Sequence, residues 1–172
     1  MRRGIATLAL LSLGTVIPAL AADPQAIAVI HPTNHNSVEG TVRFDWVSQD
    51  QVKIVVDVSG LKPNTEHGFH IHEFGDVSAN DGMSAGGHFN PRKGKHAGPK
   101  APHHHAGDMG NLKSDANGHA HLELTMSDLS LFGRDGILGR AVVIHADRDD
   151  LKTQPSGNSG ERVGIGVIGL GK

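Results

Sequence analysis

Between Glu66 and Asp108 the chain carries His67, His70, His72, His88, His96, His103, His104 and His105. Seven of its thirteen histidines fall between His70 and His105. After His72, glycine and proline interrupt the stretch, and no regular apolar period returns before Leu112. Such a segment offers no packed face of its own. An irregular stretch this long inside a compact domain is usually functional, and it needs a rigid frame around it. Dense imidazoles on such a loop point to metal coordination, because neutral imidazole is the commonest metal ligand.

The flanking sequence supplies the frame. Gln25–His31 reads as a short strand, with Ile27, Val29 and His31 alternating against Ala26, Ala28 and Ile30. Glu39–Ser48 sets Val42, Phe44 and Trp46 against polar neighbours, and Gln51–Val58 does the same with Val52, Ile54, Val56 and Val58. Both have the period of half-buried strands. Glu66–Glu73 is a further strand, with Phe69 and Ile71 toward a core and His70 and His72 outward. Asn117-Gly118 signals a hairpin turn. His119–Met126 alternates around Leu122 and Leu124, and Arg140–Ala146 turns Val142 and Ile144 inward and His145 outward. A second polar loop runs from Asp147 to Arg162, and Val163–Leu170 closes the chain as a strand. Asp128–Phe132 has room for a single helical turn. Many short strands without a convincing helix predict an antiparallel sandwich or barrel.

The chain of 172 residues begins Met1-Arg2-Arg3, continues with an apolar run from Ile5 to Leu20 and ends it in Ala19-Leu20-Ala21. A basic start, a short apolar middle and a small-x-small end describe a secretory signal peptide. Residues 1–21 are therefore the expected leader and 22–172 the expected domain. No membrane anchor is expected after cleavage. Without the leader, 14 Lys+Arg face 18 Asp+Glu, a formal charge of −4. With no strongly basic stripe, no Tyr and a single Trp, nucleic-acid binding is not expected. The chain has no cysteine, which rules out thiolate metal sites and cysteine nucleophiles.

His70 and His72, one residue apart on a strand, share a face roughly 6.5–7 Å apart along the backbone. His145 can complete a set from another strand. His88, His96, His105 and Asp108 lie along the loop. Nitrogen-rich tetragonal coordination suits copper(II), whereas three histidines and a carboxylate in a tetrahedron suit zinc. The residues alone leave the division between two sites open. Of the remaining histidines, His31, His35, His119 and His121 read as solvated surface residues, His67 as structural, and His103 and His104 as exposed loop residues.

The ordered motifs Gly68-Phe69-His70-Ile71-His72-Glu73-Phe74-Gly75-Asp76, Ser84-Ala85-Gly86-Gly87-His88-Phe89-Asn90-Pro91 and His105-Ala106-Gly107-Asp108-Met109-Gly110-Asn111 resemble copper/zinc superoxide dismutases. So do Gly139-Arg140-Ala141-Val142-Val143-Ile144-His145 and Gly157-Asn158-Ser159-Gly160-Glu161-Arg162. The resemblance implies an all-β, antiparallel Greek-key barrel or sandwich with two long functional loops. It implies copper held by His70, His72, His88 and His145, and zinc held by His88, His96, His105 and Asp108, with His88 bridging. Asp149 matches a carboxylate that orients His70 and His96, and Arg162 matches the arginine beside the copper. The implied substrate is the superoxide anion, with His88 passing a proton. Lys93, Lys95 and Lys152 are candidates for steering that anion across a net acidic chain.

Many members of that family join the first loop to the last strand by a disulfide. Here Ile165 occupies the strand position and Asp81-Gly82-Met83 the loop position, so the tie is absent and Ile165 is expected to pack near Met83. The exported chain is expected in a bacterial periplasm, with secretion as the alternative, and both a monomer and a homodimer are compatible with the resemblance. A metal-storage protein of the same fold and a zinc hydrolase are the competing functions. The full bridging set with Arg162 disfavours the first, and the absence of an obvious general base disfavours the second.

Overall fold

A computed structural model describes residues 25–172. The expected leader, residues 1–21, lies outside the described residues. Eight strands form the frame: β1 (Gln25–Pro32), β2 (Glu39–Ser48), β3 (Gln51–Ser59), β4 (Glu66–His72), β5 (Asp108–Lys113), β6 (Ala120–Met126), β7 (Ala141–His145) and β8 (Arg162–Leu170). Their order is β5-β4-β7-β8-β1-β2-β3-β6, and every pairing is antiparallel. The chain crosses between the two halves of this nearly closed barrel at β3–β4, β5–β6 and β6–β7, which gives the expected Greek-key connectivity.

Alternation builds the core. Val42 and Phe44 from β2, Ile54 and Val56 from β3, Phe69 and Ile71 from β4, Val142 and Ile144 from β7, and Ile168 from β8 are all buried. Each such side chain contributes about 1.5–3 kcal/mol by leaving water. On the outer face of β2 and β3, Arg43 pairs with Asp45 at 2.9 Å, and Lys53 pairs with Glu123 across to β6 at 2.8 Å.

The sequence reading differs from the structure in four places. β5 lies in the stretch that carries no readable period, because Asp108, Gly110 and Asn111 disguise it as loop. Asn117-Gly118 forms a turn, with Gly118 at φ 76, but it joins β5 to β6, which stand at opposite ends of the strand order and do not pair. Asp128–Phe132 is not helical; Ser130 instead makes an isolated bridge with Gly136. His70, His72 and His145 do face away from the core, yet they are 0%, 1% and 4% exposed. The loops 73–107 and 146–161 fold over that outer face, so β4 and β7 are buried on both sides.

Candidate metal centre

Two groups of side chains converge beneath those loops. The donor atoms of His70, His72, His88 and His145 lie within 4.8 Å of one another, as do those of His88, His96, His105 and Asp108. His88 belongs to both groups. All seven residues are buried. β4 supplies His70 and His72, β7 supplies His145, and β5 begins at Asp108. The first loop brings His88, His96 and His105. His88 is pinned to β4 by an antiparallel bridge to His72, and Phe89 N–H donates to Ile71 O at 2.8 Å.

Hydrogen bonds to fixed acceptors set which ring nitrogen His70, His72 and His145 present. Asp149 is fully buried and accepts from Nε2 of His70 and Nε2 of His96, each at 2.9 Å. His72 donates from Nδ1 to Gly86 O at 2.9 Å, and His145 from Nδ1 to Gly160 O at 3.2 Å. The Nε2 atoms of His72 and His145, 3.3 Å apart, are then both lone-pair donors when the rings are neutral. Burial favours the neutral form, holding His72 well below the usual histidine range and His145 at about 3. Burial likewise takes His70 down to about 4, against the opposing pull of Asp149. Two facing lone pairs repel unless a cation lies between them. Nδ1 of His70 and Nε2 of His88 are also buried and have no protein partner.

On the other side, Asp108 Oδ1 stands 2.7 Å from His88 Nδ1 and 3.0 Å from His96 Nδ1. His105 Nδ1 is 3.3 Å from the same oxygen, poorly aligned and without a hydrogen-bond partner. Burial would raise the Asp108 carboxyl, but its interactions with His105, His88 and His96 hold it well below the usual range. Burial would lower His96, but Asp108 and Asp149 outweigh it and raise it to about 9. The carboxylates give this half an affinity for positive charge. The unpartnered nitrogens and opposed lone pairs fit two cations, one on each side of the His88 ring.

The two halves differ in access. A cleft of about 270 Å³ reaches His72, His88 and His145, with Pro155, Glu161 and Arg162 on its walls, but does not reach His96, His105 or Asp108. Arg162 opens β8, where it pairs with His145 at an irregularity in the register. Its guanidinium donates to Gly82 O and Gly86 O, each at 2.5 Å. Gly86 O thus receives both Arg162 and the His72 ring. Lys93, Lys95 and Lys152 are exposed, and none lines the cleft. A separate hollow of about 810 Å³ beside β1 and β8 is lined by Val29, Val77, Ile165 and Val167 and by none of the seven candidate ligands.

Several supporting residues were not singled out from the sequence. The Asn111 side chain clamps the Asp149 backbone, accepting from Asp149 N–H at 2.7 Å and donating to Asp149 O at 3.0 Å. Gly157, at φ 68, lies so close that a Cβ would strike Asp149 Oδ1 and His96 Nε2. His67 is buried and donates from Nδ1 to His145 O at 2.8 Å, a structural role in keeping with its core-facing register. His103 is exposed as expected, but the His104 side chain is only 7% exposed. Its Nδ1 donates to His105 O at 2.6 Å, which tethers it to the loop. Ile165 packs with Ala85, Ala141 and Val143, while Met83 remains 61% exposed, so the expected contact is made two residues along the loop.

The family model described as "Copper/zinc superoxide dismutase (SODC)" matches residues 38–168. A protein named superoxide dismutase [Cu-Zn] from Paramecium bursaria Chlorella virus 1 is 47% identical over 154 residues, covering 86% of this chain and 79% of its own length. Its Saccharomyces cerevisiae namesake is 44% identical over 153 residues, covering 85% of this chain and 97% of its own. A solved structure described as a crystal structure analysis of the clock protein EA4 superposes with a TM-score of 0.77 at 37% identity, covering 90% of this chain and 99% of that one.

Proposed function

The chain belongs to the copper/zinc superoxide dismutase family, and we propose that His70, His72, His88 and His145 hold its copper and His88, His96, His105 and Asp108 its zinc. The enzyme converts superoxide to oxygen and hydrogen peroxide, with one-electron cycling supplied by bound copper and zinc keeping the bridging histidine in place. The observation that carries the ligand assignment is the pair of opposed Nε2 atoms of His72 and His145, 3.3 Å apart, with both Nδ1 atoms already committed to carbonyls.

The protein's own residues divide the remaining work. Asp149 accepts the Nε2 protons of His70 and His96 and so turns each Nδ1 inward as a donor, the usual task of an outer partner at a metal site. His88 keeps Nδ1 on the Asp108 side, and its Nε2, on the side of the open cleft, would accept a proton from cleft water whenever it is not serving as a ligand and give that proton to the departing peroxide. Arg162, fixed by two carbonyls, offers the small anion a positive charge on the cleft wall. The loops exclude bulk water from every ligand except those at the cleft.

The experiment is superoxide decay by copper- and zinc-loaded protein, wild type against Arg162→Ala. Catalytic decay that falls about tenfold or more in the variant agrees with local electrostatic capture. Stoichiometric metal binding without catalytic decay would favour a storage role instead.

Residues 1–21 form a cleaved signal peptide in this reading, and 22–172 act in the periplasm. The basic start, apolar run and Ala19-Leu20-Ala21 support it, and a periplasmic protein beginning at Ala22 is the test. No helix among the described residues is long and apolar enough to cross a membrane. Val29, Val77 and Val167, 50%, 47% and 38% exposed around the hollow beside β1 and β8, favour a homodimer through that face. Sedimentation equilibrium of wild type and Val167→Glu checks it.

A further inference from the structure

His96 is the member of the centre with the least scaffold. It lies in irregular chain between β4 and β5, is 2% exposed, and its backbone N–H and C=O have no main-chain partner among the described residues. Buried backbone groups are costly to leave unpaired. A side chain from the other loop supplies both partners. His96 N–H donates to Gln154 Oε1 at 2.8 Å, and Gln154 Nε2 donates to His96 O at 2.8 Å. The second Nε2 proton goes to Lys152 O at 3.1 Å. The carboxamide therefore grips His96 as a neighbouring strand would, and both of its amide protons are used.

We infer that Gln154 is a positioning residue for the zinc half of the centre, fixing His96 and tying the two active-site loops together. The inference rests on reading His96 as a zinc ligand. Asp149 orients the His96 ring through Nε2, and Gln154, five residues further along the same loop, fixes the backbone that carries it. With both ends held, Nδ1 points at Asp108. Pro155, next to Gln154, lines the cleft over His72, His88 and His145, so the clamp also anchors that wall. Nothing in residue type marks Gln154 in the sequence; its role depends on which loop folds over it.

The test uses the full chain with Gln154→Met, which keeps the length and removes both hydrogen bonds to His96, and Gln154→Glu, which keeps only the acceptor for His96 N–H. Zinc affinity is measured by chelator competition, the cobalt(II)-substituted visible spectrum reports ligand geometry, and thermal unfolding of the metal-free protein reports general stability. The expected result for Gln154→Met is zinc affinity lower by about 10–100-fold, the range for outer partners of a metal site, with altered cobalt(II) bands and a smaller loss in Gln154→Glu. Zinc affinity within about threefold of wild type and unchanged bands would overturn the inference, even if the metal-free protein unfolded at lower temperature. A wild-type protein that takes up no zinc would overturn both the inference and the ligand reading beneath it.

Discussion

His88 Nδ1 lies 2.7 Å from Asp108 Oδ1, while Nε2 of the same ring is buried and meets no protein atom able to hydrogen-bond. One imidazole thus faces a carboxylate on one side and an unfilled demand for a partner on the other. The proposed bridge between copper and zinc accounts for both demands. Asp108→Asn removes the charge that three histidines converge on. Zinc affinity should fall by more than the about 10–100-fold typical of an outer partner, and chelator competition on the copper-free protein checks it.

Asp149 serves both halves at once. Its two oxygens take Nε2 of His70 and Nε2 of His96. An asparagine there can accept from only one ring and turns an N–H₂ toward the other. Asp149→Asn should therefore weaken copper and zinc together, each by about 10–100-fold. Separate titrations of the two metals decide the matter; loss confined to one metal would contradict the shared role.

Gly157 and Gly133 both have positive φ, 68 and 84. Alanine at either position costs about 1–2 kcal/mol for the left-handed conformation. At Gly133 the added methyl meets open space, whereas at Gly157 it meets Asp149 and His96. Gly157→Ala should lose zinc affinity as well as stability, and Gly133→Ala stability alone. Thermal unfolding and zinc competition on the two variants separate the effects.

Ile165 of β8 packs with Ala85 of the first loop. The loop and last strand thus meet by apolar contact where many relatives have a disulfide, a bond worth about 2–5 kcal/mol in a small secreted domain. Metal binding has more of the stability to supply. Free zinc at 1,000 times its dissociation constant adds about 4 kcal/mol, or about 8–16 °C in a domain of this size. Unfolding of metal-free, zinc-only and fully loaded protein, beside a disulfide-bearing relative, should give the larger metal-induced gain here. An equal or smaller gain would contradict this account.

Much of the architecture is legible in period-2 alternation, because β2 and β3 each bury one row of Val, Ile or Phe against the core, whereas in β8 Val167 is exposed and Ile168, from the other row, is buried. β5 is not legible this way, since only Met109 and Leu112 join the core, while Asp108 faces the histidines and Asn111 grips Asp149. The motifs contain His70, His72, His88, His105, Asp108, His145 and Arg162, the resemblance they carry adds His96 and Asp149, and the structure brings these nine together. Their burial is not legible locally, because it comes from two loops folding over a face that alternation alone assigns to solvent. The carbonyls of Gly86 and Gly160, and the clamp by Gln154, are likewise products of loop placement and leave no mark in residue type.

Diffraction from crystals of the loaded protein at the copper and zinc absorption edges tests the central claim most directly. The account predicts two separate peaks with the His88 ring between them, copper beside His70, His72 and His145 and zinc beside His96, His105 and Asp108. Both metals on one side of His88, or a His88 ring that contacts only one of them, would contradict it.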